Sequence, residues 1–373
     1  MTRYLFTMAA FGLLTVAAAQ TTRIGIRNFP ESNTVGGSIY IAGSFNGWNP
    51  RDEQYKFQTG ANGNHFIELK LVKGTYEYKI TRGGWDKVEC AKSGEGIANR
   101  QLVVDGDSEV FITIEGWQDR FSGGAWRSTA GKNVQILDTA FFIPQLNKTR
   151  RVWVYLPETY TTSRKRFPVL YMHDGQNVFE DSSSFSGEWG VDEFMDTTIA
   201  RQSIIVAVDH GGPDRIREYC PYDMERFGKG AGDPYADFLV NTLRPYINKK
   251  FRTKKCRKNT FIAGSSMGGL ISMYATLKYP KVFGGAGVFS PAFWIGPKIF
   301  DEIKAKGKKV RSRIYFYAGL QEGESMVPLT MKAHEEMYEV SRSKIRTVIR
   351  QEGKHNEARW RLEFPLFYEW LMD

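Results

Sequence analysis

Short alternating runs of apolar and polar residues fill the chain from about residue 20 to residue 119. A period of two residues places every second side chain on one face of a β-strand. The runs lie at 38–42, 66–71, 76–80, 102–104 and 109–114, and glycine-rich turns separate them. Many short strands of this kind predict an immunoglobulin-like β-sandwich over residues 20–119.

The pattern changes after a polar, glycine-rich stretch at 120–132, which we interpret as a linker. From residue 133 to residue 373, near-continuous apolar runs alternate with segments of helical period. Strands are predicted near 134–142, 151–156, 167–172, 203–208, 259–264, 284–289, 312–318 and 344–349. Helices are predicted near 188–200, 233–250, 267–279, 298–306, 328–340 and 357–371. This alternation predicts an α/β domain with an eight-stranded, mostly parallel sheet.

One turn in this domain carries the sequence Gly264-Ser265-Ser266-Met267-Gly268. An apolar strand pattern precedes it and a helical pattern follows it. A serine at the apex of a sharp strand–turn–helix is the nucleophile elbow of α/β-hydrolases. We therefore predict that Ser266 is a nucleophile and that the Met267 N–H stabilises an oxyanion.

The expected chain order in this fold is serine, acid, histidine. Of the five histidines, only His334 and His355 follow Ser266. His334 lies in a helical pattern and is interpreted as a helix residue without a catalytic role. His355 follows the last predicted strand and a polar turn, where the general base of this fold lies. We therefore predict that His355 is the base.

The acid should lie on the loop after the strand at 312–318. Glu322 is our candidate, and Glu324 on the same loop is the alternative. A carboxylate there would orient the imidazole and stabilise the imidazolium. A second oxyanion donor should follow an earlier strand, and the N–H of Gln176 is our candidate. His173 precedes the serine and is interpreted as a residue that orders this loop.

The first 19 residues predict a secretory signal peptide, since Arg3 precedes an apolar stretch that ends in small residues. That stretch is short for a membrane span, and no other segment is apolar enough to cross a bilayer. We therefore expect a secreted or periplasmic protein.

The chain carries 51 Lys and Arg against 41 Asp and Glu, a formal net charge of +10. Its two densest basic clusters, at 252–258 and 304–309, precede strands and should lie at the edge opposite the catalytic loops. No nucleic-acid-binding signature accompanies this charge. The three cysteines, Cys90, Cys220 and Cys256, lack metal-ligand spacing. The sequence neither predicts nor excludes a disulfide bridge between Cys220 and Cys256.

Residues 133–373 resemble the putative-esterase branch of the α/β-hydrolases, which includes feruloyl, acetyl-xylan and enterochelin-type esterases. The resemblance is carried by Tyr155-Leu156-Pro157, His173-Asp174-Gly175-Gln176-Asn177, Arg217-Glu218-Tyr219, Gly264 to Gly269, Ser290-Pro291-Ala292-Phe293-Trp294, Gly319-Leu320-Gln321-Glu322 and His355-Asn356-Glu357. It implies Ser266, Glu322 and His355 as the catalytic set, without a cofactor or metal. One departure is Gly319-Leu320, where many members have Gly-Thr.

Residues 20–119 resemble the glycogen- and starch-binding sandwiches of carbohydrate-binding families 48 and 20. The motifs are Gly43-Ser44-Phe45-Asn46-Gly47-Trp48, Tyr78-Lys79, Gly84-Trp85-Asp86-Lys87 and Ile97-Ala98-Asn99-Arg100. The resemblance implies a glycan site made of Trp48, Lys79, Trp85 and Asn99. A flat indole can cover a sugar face, while amide and ammonium groups bind hydroxyls. Such domains also dock on their enzymes without binding sugar.

Together these patterns predict an exported serine esterase that releases acyl or feruloyl groups from plant polysaccharide. Trp294 is a candidate wall of the acyl pocket, and Arg217 is expected to pair with Glu218. The alternatives are an esterase for catecholate siderophores and a glycan-binding protein with an inactive hydrolase body. Acyl transfer in place of hydrolysis is also open.

Overall fold

The computed structural model describes residues 19–30, 38–60, 63–94, 96–97, 99–120, 128–181, 184, 187–198 and 200–373. The chain divides into two compact units between residues 121 and 122. The predicted signal peptide, apart from Ala19, lies outside the described residues, as do residues 121–127 of the predicted linker. Across the described ranges, none of the helices is long and apolar enough to span a membrane.

The N-terminal unit is built from short strands. The described part contains β1 (Gln20–Asn28), β2 (Tyr40–Gly43), β3 (Gln58–Thr59), β4 (His65–Leu71), β5 (Gly74–Thr81), β6 (Glu89–Cys90), β7 (Arg100–Val104), β8 (Ser108–Thr113) and β9 (Gly116–Trp117). The strands pair in the orders β3-β4-β1-β8, β2-β5-β7 and β6-β9. The hydrophobic pattern did not predict β1, in which Ile24 and Ile26 are the only large apolar residues.

The two larger sheets of this unit share one hydrophobic core. Ile24 of β1 and Ile67 of β4 belong to the same buried cluster as Ile41 of β2 and Ile80 of β5. In β4 the burial alternates along the strand, so that one face meets the core and the other meets solvent. This alternation is the period-two pattern from which the strand was predicted.

The C-terminal unit alternates strands and helices. Its strands are β10 (Val134–Ile143), β11 (Lys148–Tyr155), β12 (Val169–His173), β13 (Ile204–Val208), β14 (Thr260–Ser265), β15 (Gly285–Phe289), β16 (Arg313–Gly319) and β17 (Lys344–Arg350). Its helices are α1 (Thr159–Thr162), α2 (Val191–Thr197), α3 (Arg215–Tyr219), α4 (Gly232–Phe238), α5 (Arg244–Lys250), α6 (Met267–Lys278), α7 (Ile299–Lys306), α8 (Met326–Val340) and α9 (Glu357–Met372).

These strands form one eight-stranded sheet in the order β10-β11-β13-β12-β14-β15-β16-β17. The first two strands pair antiparallel, and β11 is also antiparallel to β13. The other pairs, from β13 to β17, are parallel. The carboxyl ends of β12, β14, β15, β16 and β17 therefore lie along one edge of the sheet. The central strands are buried throughout, because helices cover both faces.

Several local features differ from the prediction. The helix expected over 188–200 is the shorter α2, and α3 was not predicted. The single helix expected over 233–250 contains a π-helical turn at Leu239–Leu243 between α4 and α5. The three cysteines are free thiols, so the bridge left open between Cys220 and Cys256 is absent.

Candidate active site

Ser266 lies at a strained turn between β14 and α6. Its backbone has φ 57° and ψ −119°, a conformation that side-chain-bearing residues rarely adopt. Met267 is the first residue of α6, so its N–H belongs to the group of helix-start donors that lack a partner within the helix. The sequence pattern around Ser266 thus corresponds to a sharp strand–turn–helix.

Glycines make this turn possible by letting backbones approach each other. A Cβ atom on Gly264 would lie 2.9 Å from the carbonyl carbon of Gly268 and 2.9 Å from Cδ2 of His173. A Cβ atom on Gly269 would lie 2.8 Å from the carbonyl oxygen of Phe289. Real Cβ atoms do not come this close to backbone atoms, and these positions are therefore closed to larger residues.

The histidine and the acid predicted from the sequence are hydrogen-bonded to each other. Nδ1 of His355 lies 2.8 Å from Oε2 of Glu322. The Glu322 side chain has no solvent exposure, whereas 28% of the His355 side chain is exposed. Glu324, the alternative acid, lies in an exposed position. The geometry thus selects Glu322 as the partner of His355.

Glu322 is held by two further donors. Its Oε1 accepts hydrogen bonds from the backbone N–H of Gly319 at 2.7 Å and from Oγ of Ser290 at 2.9 Å. Since a carboxylate only accepts, the proton between Glu322 and His355 belongs to Nδ1 of the imidazole. The other ring nitrogen, Nε2, is then the one that can accept a proton.

The loop after β15 links the serine to the histidine–glutamate pair. At the end of β15, the Phe289 carbonyl accepts from the N–H of Ser266 at 2.9 Å, and in the loop the Ala292 N–H donates to the Ser266 carbonyl at 3.0 Å. Ser290 of the same loop binds Glu322, and the Trp294 ring lies 6.5 Å from the His355 ring. Ser266, Glu322 and His355 therefore follow β14, β16 and β17 at one edge of the sheet.

Gln176 lies in a single 3-10 turn, Gly175–Asn177, directly after β12. Gly175 is required there, because its Cβ atom would lie 2.8 Å from the carbonyl carbon of Val208. The side-chain oxygen of Gln176 accepts from the His210 N–H at 3.1 Å, which fixes the turn against the loop after β13. The turn thus lies at the same sheet edge as Ser266.

An ion pair with a buried carboxylate supports this turn. Arg215 donates from Nε to Oδ1 of Asp174 at 2.7 Å and from Nη2 to Oδ2 at 2.8 Å. Burial favours the neutral form of Asp174, but the Arg215 charge outweighs it and lowers the pKa of that carboxyl. Asp174 itself has a left-handed φ of 57°.

His173 is buried next to Asp174 and is the last residue of β12, so it does not lie in the loop as predicted. Its Nδ1 lies 3.1 Å from the hydroxyl of Tyr235. Burial lowers its pKa to about 4, so the ring is neutral at physiological pH. Its packing against Gly264 and Gly268 gives it a supporting position under the elbow. His334 lies in α8 and contacts Thr347 at 2.7 Å.

The prediction that Arg217 pairs with Glu218 was wrong. Neighbouring residues on a helix point in different directions. Glu218 is buried and pairs with Arg150 and, at 3.2 Å, with Lys148. Arg217 instead lies 3.7 Å from Asp214.

Two residues next to the His355–Glu322 pair, Ser290 and Trp360, were not assigned to the site from the sequence. Ser290 has a left-handed φ of 42° and binds Glu322. Trp360 of α9 donates from Nε1 to Oγ of Ser290 at 2.9 Å. The available signal was a serine placed directly after a buried strand; nothing in the pattern connected it to α9.

In the N-terminal unit, Trp48 and Trp85 are both half-buried, and their rings lie 6.5 Å apart at 47°. Lys79 is buried, and its ammonium donates to the carbonyl of Ile97. The Asn99 amide donates to Glu77 at 3.3 Å. The structure therefore brings the two tryptophans together, while the Lys79 ammonium is engaged with the backbone.

Among the described residues, no three His, Cys, Asp or Glu side chains are grouped so as to hold a metal ion. The polar groups around Ser266, His355 and Glu322 include a hydroxyl, an imidazole, a carboxylate and backbone N–H groups. Such a set can move a proton between a serine and a histidine and stabilise a negative oxygen.

A mixed eight-stranded sheet with a strained serine turn and a histidine–carboxylate pair at one edge is the architecture of the α/β-hydrolases. The chain belongs to the family described as "Putative esterase", whose model matches residues 143–366. The protein is therefore a carboxylic ester hydrolase.

Two curated relatives share parts of this chain. It is 30% identical over 173 residues to an endo-1,4-β-xylanase/feruloyl esterase of Xylanibacter ruminicola, covering 44% of this chain and 23% of that protein. It is 38% identical over 106 residues to an α-amylase of Niallia circulans, covering 28% of this chain and 8% of that protein. The matches thus span less than a quarter of either relative.

Solved structures share the fold. A ferulic acid esterase superposes with a TM-score of 0.51 at 20% identity, covering 64% of this chain and 98% of that one. The enterobactin esterase FES from Shigella flexneri, in the presence of enterobactin, superposes with a TM-score of 0.50 at 18% identity. That second match covers 90% of this chain and 87% of the other.

Proposed function

We propose that this protein is an exported serine esterase that uses Ser266 as nucleophile, His355 as general base and Glu322 as the acid that orients His355. The observation that carries the proposal is the 2.8 Å contact between His355 and Glu322, on loops that adjoin the strained Ser266 turn. Export rests on the residue pattern at 1–19 alone.

In the proposed reaction, Ser266 Oγ attacks the ester carbonyl while His355 Nε2 takes its proton. The Met267 and Gln176 N–H groups hold the oxyanion. His355 then protonates the leaving alcohol, whose departure gives the acyl-enzyme. Water activated by His355 attacks that intermediate and releases the acid and the free serine. Throughout, Glu322 orients the imidazole and stabilises the imidazolium.

We further propose that the substrate is an acylated or feruloylated plant polysaccharide. Two matches support this choice, namely the xylanase/feruloyl esterase and the ferulic acid esterase fold. The exposed Trp294 ring near His355 offers an apolar surface for an aromatic acyl group.

The test compares methyl ferulate, p-nitrophenyl acetate and a ferric catecholate ester as substrates of the mature protein and its Ser266→Ala variant. We expect release of ferulate or acetate that falls at least a thousandfold in the variant, because the acyl-enzyme cannot form. Equal turnover by the variant would disprove the serine mechanism. The absence of turnover with every ester, in folded wild-type protein, would favour the inactive-body alternative.

A siderophore esterase is the second candidate. The observation that favours it is the extent of the likeness to the enterobactin esterase, which covers 90% of this chain and so reaches beyond the α/β unit. In the same assay, a preference for the catecholate ester over methyl ferulate would support this candidate against the polysaccharide.

For the N-terminal unit, we propose a carbohydrate-binding sandwich in which Trp48 and Trp85 cover a sugar face. Support comes from the adjacency of their rings and from the α-amylase match. Affinity electrophoresis on soluble starch and arabinoxylan, comparing wild type with Trp48→Ala and Trp85→Ala, tests this. We expect retarded migration of the wild type and loss of retardation in both variants. Identical migration of all three proteins on both glycans would contradict glycan binding.

A further inference from the structure

Glu322 is the end of a chain of hydrogen bonds that begins on a different element. The indole N–H of Trp360, on α9, donates to Ser290 Oγ at 2.9 Å. Ser290 Oγ contacts Glu322 Oε1 at 2.9 Å, and Glu322 Oε2 contacts His355 Nδ1 at 2.8 Å. We call Trp360, Ser290 and Glu322 the acid-support chain.

The direction of each hydrogen bond in this chain is fixed by chemistry. An indole nitrogen can only donate, and a carboxylate can only accept. Ser290 Oγ must therefore accept from Trp360 and send its single proton to Glu322. With the Gly319 N–H on the same carboxylate oxygen, Oε1 is occupied by two donors. Oε2 is thereby turned towards His355.

The surroundings hold this chain in place. Ser290 has a left-handed φ of 42°, which is strained for a residue with a side chain, and its N–H donates to the Tyr317 carbonyl at 2.7 Å. Trp360 is 4% exposed and stacks on Trp189 with a ring separation of 5.7 Å. Its ring also meets the His355 ring edge-on at 5.1 Å. Strain that a fold maintains beside a reactive group points to a role at that site.

We propose that Ser290 and Trp360 are positioning residues that fix the orientation and basicity of Glu322, and through it the proton-accepting geometry of His355. The proposal rests on the proposed function of Ser266, His355 and Glu322. Neither residue is assigned a contact with substrate. The Ser290 hydroxyl acts through the Glu322 carboxylate, and the Trp360 N–H acts through Ser290.

The test measures kcat, KM and the pH profile of kcat/KM for Ser290→Ala, Trp360→Phe and the double variant. For Ser290→Ala we expect kcat to fall about tenfold with KM nearly unchanged, because one hydrogen bond to a charged group is lost. For Trp360→Phe, which keeps a ring but lacks the donor, we expect a smaller fall. The double variant should match Ser290→Ala, since Trp360 acts through Ser290.

The pH profile separates positioning from a structural effect. Removing a donor makes the Glu322 carboxylate more basic, so it attracts the imidazolium more strongly. We therefore expect the acid limb of kcat/KM, which reports His355, to move to higher pH in Ser290→Ala. Glu357, which also acts electrostatically on His355, is unchanged in every variant.

Matched controls are Ser312→Ala and Trp370→Phe. Ser312 is a buried serine that donates to the Phe283 carbonyl at 2.7 Å, before β16 and away from the catalytic edge. Trp370 is a buried tryptophan of α9, and the Arg313 guanidinium lies 4.7 Å from its ring centroid. Both controls should keep wild-type kcat and the wild-type acid limb.

The outcomes are distinct. Wild-type kcat and an unmoved acid limb in Ser290→Ala, with Ser266→Ala inactive, would overturn the acid-support chain alone. Additive losses in the double variant would overturn the serial arrangement. Retained activity in Ser266→Ala would overturn the proposed function and this inference with it. If Ser290→Ala does not fold, the kcat of Trp360→Phe decides the test. A wild-type kcat in that variant would reject the acid-support chain.

Discussion

The ion pair between the partly exposed Arg215 and the buried Asp174 yields a prediction about stability. Two hydrogen bonds of 2.7 and 2.8 Å join the two side chains, whose exposed fractions are 23% and 6%. Arg215→Met keeps much of the apolar stem but leaves the Asp174 carboxylate buried without its partner. Removing one member of such a pair typically costs about 3–5 kcal/mol.

We expect Arg215→Met to lower the free energy of unfolding at pH 7 by about 3–5 kcal/mol. Without arginine, burial dominates and raises the pKa of Asp174 above its unfolded value. The deficit should therefore shrink as the pH falls, because protonation removes the buried charge. Adding Asp174→Asn removes the charge directly, and the double variant should regain much of the loss.

The assay is denaturant-induced unfolding followed by tryptophan fluorescence, at pH 5 and pH 7. The control is Lys132→Met, which breaks an exposed pair with Glu158 at 3.1 Å and should cost at most about 1 kcal/mol. Two results would refute the reasoning. One is a free energy of unfolding of Arg215→Met within about 1 kcal/mol of the wild-type value, and the other is a lower free energy of unfolding when Asp174→Asn is added to Arg215→Met.

Two further predictions concern protonation and packing. Burial raises the pKa of Glu188 to about 8, so the folded protein holds a proton that the unfolded chain releases near its ordinary value. The free energy of unfolding should therefore fall as the pH rises from about 4.5 to about 8. Glu188→Gln should reduce that slope, and the remainder should come from the neighbouring Asp192, whose pKa burial also raises, to about 7. A slope equal to that of the wild type would contradict this. Gly264→Ala should lower the free energy of unfolding by about 1–3 kcal/mol and remove most esterase activity. The reason is that its Cβ atom would lie 2.9 Å from the carbonyl carbon of Gly268. Gly106→Ala, which meets nothing within 4 Å, should be neutral in thermal melts, and an equally mild Gly264→Ala would contradict the packing argument.

The family and the general architecture could be predicted from short sequence motifs and from the local pattern of apolar and polar residues. Periods of two residues and of about 3.6 residues report directly which faces of an element are buried, so the eight strands of the large sheet were each predicted within a few residues. The serine turn was accessible because its glycines are required by backbone contacts within a few residues of Ser266.

Contacts between residues far apart in the chain could not be predicted from the sequence. The partner of Glu218 is Arg150, which is 68 positions earlier, rather than the adjacent Arg217. The π-helical turn at Leu239–Leu243 leaves no mark in an apolar pattern that suits an uninterrupted helix equally well. Such features depend on which elements become neighbours.

By itself, the sequence determined the order of elements and the short-range geometry at Ser266, since both follow from residues close together in the chain. It narrowed the candidates for the proposed acid to Glu322 and Glu324. Only the tertiary structure paired Glu322 with His355, by bringing the loops after β15, β16 and β17 together at one sheet edge. The contact from Trp360 to Ser290 spans 70 positions and depends on how α9 packs, which no local pattern encodes.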